Sequence, residues 1–277
     1  MKTVLITGCS AGGIGSALAE AFQKKDLHVF ATARDPAKMS HLESLPNVTI
    51  IPLDPTSSTS VEDAARTISA ETDNKLDYLV NNAGQTVITP TLDFNIDDVK
   101  NMYDINVFGH LRVTQAFAPL VIEAKGTIVN ISSISTVCHT PWMGVYAGSK
   151  AAMTQISDTL RMELAPFSVK VVTVMTGAVG SKTLATEKQF KVPPTSRYRS
   201  IEKVIAARAR GEDGVPRMEP SVFAEKVVND VLLGANWQIW HGGWASIVRY
   251  MSSWIPGIFD SFAIKGTGLD AMSTRVA

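Results

Sequence analysis

Cysteine is nearly missing from this chain. Cys9 and Cys138 are the two it has, and they form no C-x-x-C pair. A disulfide framework is excluded, and a reducing compartment is the simplest reading. The five histidines (His28, His41, His110, His139 and His241) contain no HxH or HxxxH spacing, so nothing points to a metal ion. Excess charge of either sign is also missing, since 26 Lys+Arg balance 26 Asp+Glu. Neither nucleic acid nor an acidic polymer is called for as a partner. No apolar run of signal-peptide length opens the chain. Thr3–Ile6, a short apolar run that reads as a buried strand, is followed by Thr7 and Gly8. Internal repeats and low-complexity linkers are lacking.

What is present is a chain of 277 residues, 45% hydrophobic, enough to bury one sizeable core. Apolar runs of strand length recur at Thr3–Thr7, His28–Thr32, Val48–Pro52, Leu76–Asn81, Gly126–Ile131 and Val169–Thr173. Helix-length segments lie between them at Gly15–Lys25, Ser60–Thr72, Ile96–Ala124 and Ala147–Ala165, with a further helix at Ser221–Leu233. Strands apolar on both faces that alternate with helices predict an α/β fold. The expected architecture is a Rossmann-type, doubly wound parallel β-sheet with helices on both faces, in a single domain over 1–277. Residues 181–219 change texture. They carry Lys182, Lys188, Lys191, Arg197, Arg199, Lys203, Arg208 and Arg210 and read as a substrate-loop insertion. This basic stretch either holds a phosphate or is a solvated face.

The first strand runs into Thr7-Gly8-Cys9-Ser10-Ala11-Gly12-Gly13-Ile14-Gly15, and a helix pattern follows. Glycines there let the backbone turn tightly and approach a pyrophosphate, while the helix N-terminus supplies amides and a favourable dipole. The bland alternative is a turn with no ligand. The second strand ends at Ala31-Thr32-Ala33-Arg34. An acid at this point would bind the ribose hydroxyls of NAD, whereas Ala33 repels nothing and Arg34 suits the 2′-phosphate of NADP. NADPH is therefore expected over NADH, unless Arg34 is only a solvated partner of Asp35.

Tyr146-Ala147-Gly148-Ser149-Lys150 places a phenol and an ammonium four residues apart, on one face of a helix. A nearby cation favours phenolate and lowers the phenol's pKa from about 10. Tyr146 is then able to exchange a proton with a carbinol oxygen near neutral pH. Upstream stand Ser133 in Ile131-Ser132-Ser133, Asn81-Asn82-Ala83-Gly84, and Asn106-Val107-Phe108-Gly109.

With these motifs in this order, the chain resembles the short-chain dehydrogenase/reductase family over nearly the whole dinucleotide-binding fold. The resemblance implies that Tyr146 is the general acid of a reduction and that Lys150 lowers its pKa and bonds the nicotinamide ribose. It further implies that Ser133 polarises the substrate carbonyl, with Ser132 as rival, and that Asn106 holds a water relaying protons from Lys150. Gly8, Ser10, Gly13, Ile14 and Gly15 would form the phosphate turn, with Ile14 offering its amide. Asp54 would bond the adenine amino group, Asn82, Ala83 and Gly84 would line the cofactor, and Val179 and Ser181 match positions that contact the carboxamide. Two departures stand out. Gly12 lengthens the glycine-rich turn by one residue, and Thr176-Gly177 replaces the usual Pro-Gly.

Several stretches, among them Asn82–Gln85, Asn106–His110, Lys125–Val129 and Trp240–Tyr250, are similar to fungal NADPH-dependent 1-acyldihydroxyacetone-phosphate reductases. A lipophilic carbonyl substrate is implied, either an acyl-dihydroxyacetone phosphate or a secondary-metabolite intermediate. A non-redox isomerase or dehydratase, and a non-catalytic NADPH-binding regulator, are the alternatives. Residues 236–277 are expected to form a C-terminal flap or interfacial segment. Within them, Trp244–Phe262 is rich in aromatics but interrupted by Arg249, Pro256 and Asp260, which argues against a membrane span. A peripheral membrane contact remains open beside a flap or a dimer contact. The expected setting is cytoplasmic, with the endoplasmic reticulum or lipid droplets as peripheral surfaces, and a homodimer or homotetramer as the assembly.

Overall fold

The computed structural model describes residues 1–181, 190–255 and 257–273. Seven parallel strands form one sheet: β1 (Thr3–Thr7), β2 (His28–Ala33), β3 (Val48–Pro52), β4 (Tyr78–Asn81), β5 (Thr127–Ile131), β6 (Lys170–Thr176) and β7 (Gln238–His241). Their order is β3-β2-β1-β4-β5-β6-β7, so the winding reverses between β1 and β4. A crevice at the carboxyl ends of the strands is expected at such a reversal.

Period-two alternation of the strand residues divides the core between the two faces. Val4 and Ile6 of β1, with Val29 and Ala31 of β2, point to one face. There they meet α1 (Ile14–Gln23) through Leu18 and Phe22, and α7 (Pro220–Leu232) through Phe223, Val227 and Val231. Leu5, Phe30 and Leu79 point to the other face. They pack with Val61 and Ile68 of α2 (Ser58–Glu71), Val113 and Phe117 of α4 (His110–Ala124), and Leu160 of α5 (Gly144–Glu163). Each buried Phe or Leu contributes about 1.5–3 kcal/mol.

The structure corrects two expectations. Ile96–Ala124 is not one helix. After α3 (Ile96–Tyr103) the chain takes a π-helical segment at Asp104–Gly109 before α4 begins. Gly109 fits there because a Cβ would lie 3.0 Å from both Asp104 O and Pro55 Cβ. Residues 236–277 are not only a flap or interfacial segment, because β7 extends the sheet by pairing with β6. Its four residues, Gln-Ile-Trp-His, are only half-buried, so no apolar run marks them. Beyond β7 come α8 (Ala245–Trp254), α9 (Asp260–Gly266) and α10 (Asp270–Ser273), and α6 (Glu202–Ala209) precedes α7. Among the described residues no helix is long and apolar enough to cross a membrane.

The turn after β7 is built against the end of β6. Gly177 N donates to His241 O at 2.8 Å, and Ala178 and Gly243 exchange two backbone hydrogen bonds of 2.9 Å. A Cβ on Gly177 would fall well short of van der Waals contact distance from Gly243 O, a severe clash. Gly177→Ala should therefore cost about 2 kcal/mol through forced displacement of this turn. Urea unfolding, read as a lower midpoint at unchanged slope, measures it.

Candidate active site

A cleft of about 1560 Å³ opens along the carboxyl ends of the strands. At one end lies the glycine-rich turn. Gly8 and Gly12 take left-handed conformations at φ +77° and +76°, which glycine adopts without strain. Gly13 is the N-cap of α1 and brings no capping side chain, so the first amides of the helix face the cleft beside Ser10, Gly13 and Ile14. This suits an anion such as a pyrophosphate. Gly15 is different. It is buried behind the turn, where a Cβ would strike Gly8 O and lie 2.5 Å from Asn82 Nδ2. It packs the turn rather than lining the cleft.

The NNAG segment locks the turn to β4. Asn82 Nδ2 donates to Thr7 O at 2.8 Å and to Gly8 O at 3.2 Å, and Thr7 Oγ1 accepts from the amides of Asn82 and Ala83 at 3.0 Å. Asn82, Ala83 and Gly84 still line the cleft, but the Asn82 side chain is committed to this scaffold. Ala33, Arg34 and Asp54 border the same end, and Lys38, which the sequence reading did not single out, joins them. Arg34 and Lys38 are exposed. One oxygen of Asp54 is engaged by Thr56 through N (2.9 Å) and Oγ1 (2.7 Å).

At the centre of the cleft, α5 carries Tyr146 and Lys150 on one face, opposite the end of β5 with Ser133. Hydroxyls of Ser133 and Thr86 bond the phenol and draw its pKa down, but burial is the larger influence and pushes it above the ordinary value. The expected lowering by Lys150 is not what this geometry provides. Lys150 Nζ is itself buried and donates to Ile131 O at 2.8 Å, and burial holds its pKa at about 8. Ser133, not Ser132, serves the phenol. Ser133 Oγ accepts from Ser135 N (3.2 Å) and Ser135 Oγ (2.9 Å), while Ser132 Oγ is paired with Thr154 Oγ1 at 2.6 Å on the body of α5. Val179 and Ser181 also line the cleft.

Asn106 is buried against Gln85 and Ser149 of α5 and does not line the cleft. The π-helical segment turns its carboxamide onto Gln85. Oδ1 accepts from Gln85 N at 2.8 Å, and Nδ2 donates to Gln85 O at 2.9 Å and Ser149 Oγ at 3.0 Å. Both Nδ2 hydrogens are used, so the carboxamide itself can offer a relaying water only one remaining lone pair of Oδ1. Gly84 packs alongside, where a Cβ would lie a tight 3.3 Å from Asn106 Oδ1 and in ordinary contact with Lys150 Nζ at 3.5 Å.

His110, one turn beyond Asn106, was not singled out as a site residue. It is buried, and its Nε2 is 2.7 Å from Ala83 O, so that nitrogen carries the hydrogen. Nδ1 has no partner among the described residues. Burial, and secondarily the charge of Lys150, lower its pKa to about 3, so the ring is neutral.

The far end of the cleft is mainly apolar around the charged group of Arg208, Asp213 and Arg217. Ile88, Met143, Val215, Trp244, Val248 and Phe262 line it, so the C-terminal segment covers this end with part of its surface. Trp142, whose φ is +72°, packs against Tyr198 beside this wall. Lys182 and Lys188 lie outside the described residues. Of the described basic residues of 181–219, Arg208 and Arg217 line the cleft. Among the described residues no cluster of His, Cys, Asp and Glu is fit to hold a metal.

Comparison with known proteins agrees with this geometry. Residues 2–191 match the family model described as short chain dehydrogenase. The chain is 45% identical over 269 residues to the short-chain dehydrogenase ptmH of Penicillium ochrochloron, covering 97% of this chain and 98% of that protein. It is 36% identical over 279 residues to the NADPH-dependent 1-acyldihydroxyacetone phosphate reductase of Schizosaccharomyces pombe, covering 95% and 93%. Among solved structures, a short-chain dehydrogenase from Streptomyces avermitilis superposes with a TM-score of 0.77 at 26% identity, covering 100% and 98%. One from Burkholderia cenocepacia in complex with NADP gives 0.75 at 23%, covering 95% and 99%, a likeness of fold.

The neutral His110 has a consequence for acid stability. Its ordinary pKa is 6.5 and its folded value about 3. The folded-state value is depressed, so the unfolded chain binds the proton first and stability falls as pH drops from 6.5 towards 3. Between pH 7 and pH 5 this accounts for about 2 kcal/mol. Urea midpoints at the two pH values should converge in His110→Gln relative to the unmodified protein.

Proposed function

The chain belongs to the short-chain dehydrogenase/reductase family, and on that premise we propose that it reduces a ketone or aldehyde in a lipophilic molecule with NADPH, Tyr146 giving the proton. The observation that carries the reading is the meeting of Ser133, Tyr146 and Lys150 in one cleft with the glycine-rich turn. A nicotinamide nucleotide bound along that cleft supplies the hydride. The open amides of α1 suit its pyrophosphate, and Gly8 and Gly84 let backbone come close. The Ser133 hydroxyl donates to the substrate carbonyl oxygen and polarises it. Tyr146 passes its proton to that oxygen as the carbon gains hydride. The raised pKa of the phenol keeps the proton in place until then. Lys150, whose ammonium gives up a proton near pH 8, stands one helical turn away to restore it.

Preference for NADPH is supported by Ala33, which brings no carboxylate to the second strand's end, and by the cations Arg34 and Lys38 beside it. The fission-yeast relative, named as NADPH-dependent, supports it as well. The apolar far end favours a lipophilic substrate.

With a panel of ketones, the purified protein should consume NADPH, followed by loss of its absorbance. Tyr146→Phe should lower that rate by about 100-fold or more. Undiminished turnover in this variant removes Tyr146 from the reaction. Arg34→Ala should weaken NADPH by roughly tenfold while leaving NADH within about twofold. Equal losses for both nucleotides would remove Arg34 from the 2′-phosphate site.

A further inference from the structure

We propose that Arg208, at the apolar end of the cleft, grips a compact oxyanion, a carboxylate or phosphate carried by the carbonyl substrate. This rests on the reductase reading of the same cleft and names the class of substrate it takes.

Two guanidinium groups, Arg208 and Arg217, share one carboxylate, Asp213. Arg217 Nη2 approaches Asp213 Oδ1 at 2.6 Å, and Arg208 Nη1 approaches Oδ2 at 3.3 Å. All three residues line the cleft, and their side chains are only 10–20% exposed. Arginine does not give up its proton in a protein. The group therefore keeps one positive charge in partly desolvated surroundings. Desolvation outweighs the pull of Asp213 on Arg208, as the lowered pKa of that guanidinium reflects.

The two arginines are not equivalent. Arg217 also donates through Nη1 to Gly211 O (2.9 Å) and Val215 O (3.1 Å), so it fastens the 211–217 loop. Arg208 is left with an idle edge. Its Nε is buried and has no hydrogen-bond partner among the described residues. Its Nη2 faces the Met143 thioether at 3.8 Å. Nε and Nη2 form the side-on fork of a guanidinium, which matches two oxygens of a carboxylate or phosphate. A thioether is a weak acceptor on a flexible side chain, and an oxyanion would displace it. The other acid nearby, Asp260, is engaged by His139 Nδ1 at 3.0 Å.

Position links this fork to the chemistry. Met143 is the N-cap of α5 and lies three residues before Tyr146, about 4.5 Å along the helix axis. An anion held where the thioether now lies would be a few bonds from a carbonyl at the phenol.

The test compares kcat/KM for benzoylpropionate, its methyl ester, and the phosphate monoester of the matching hydroxyketone. In the unmodified protein one or both anions should exceed the ester by roughly tenfold or more, and which anion does so separates carboxylate from phosphate. Arg208→Gln should collapse the anion-to-ester ratio through KM, and Arg208→Lys should restore part of it. Asp213→Asn, which frees Arg208 from its competitor, should raise the ratio several-fold. A structural loss would not do that. An unmodified protein that treats acid and ester alike, or an Arg208→Gln variant that keeps the ratio, overturns the proposal. Calorimetric binding of the corresponding hydroxy acid and its ester to the NADP-saturated protein gives the same ratio without turnover. If no ketone is reduced, the reductase reading fails, and equal binding of acid and ester then overturns the Arg208 proposal separately.

Discussion

A buried ammonium sets the terms for the centre of this protein. Lys150 Nζ has left water, and Ile131 O receives it at 2.8 Å. Charge in such a place is costly unless oxygen dipoles surround it, and burial alone holds this lysine near a pKa of 8. Its neighbours share that burial. His110 stays neutral and turns its one hydrogen to Ala83 O. Asn106, whose Oδ1 lies close to the same region, is held by three hydrogen bonds. Gly84 leaves out a Cβ that would press on Asn106 Oδ1. The π-helical segment at Asp104–Gly109 makes this possible, since it aims Asn106 at Gln85 where a regular helix would aim it elsewhere.

Around that centre the cleft separates residues that meet ligand from residues that hold those in place. Ser133 faces the phenol, while its neighbour Ser132 pins the strand to α5. Gly8 and Gly13 face the cleft, while Gly15 packs the turn from behind. Thr7 and Asn82 join β1 to β4 through four hydrogen bonds at the reversal of strand order. Farther out, the Gly242-Gly243 turn closes on Gly177 and Ala178. It thereby brings Trp244 and α8 to the substrate end. A segment distant in sequence thus shapes the wall that a substrate meets.

The sequence by itself determined what depends on neighbours in the chain. Six of the seven strands, the strand–turn–helix of the glycine-rich motif and the Tyr146–Lys150 spacing follow from local period and turn chemistry. Tertiary structure alone decided the rest. The four half-buried residues of β7 become a strand only because β6 offers them an edge. The π-helical segment within Ile96–Ala124, the service of Thr86 to the phenol and the place of Lys38 beside Arg34 depend on contacts between separate elements. So does the direction of the Tyr146 pKa. The spacing to Lys150 suggests a lowered value, but solvent exclusion by the folded cleft raises it against the hydroxyls of Ser133 and Thr86. Desolvation and the partner of a hydrogen bond are properties of a place in space, and a one-dimensional pattern does not carry them.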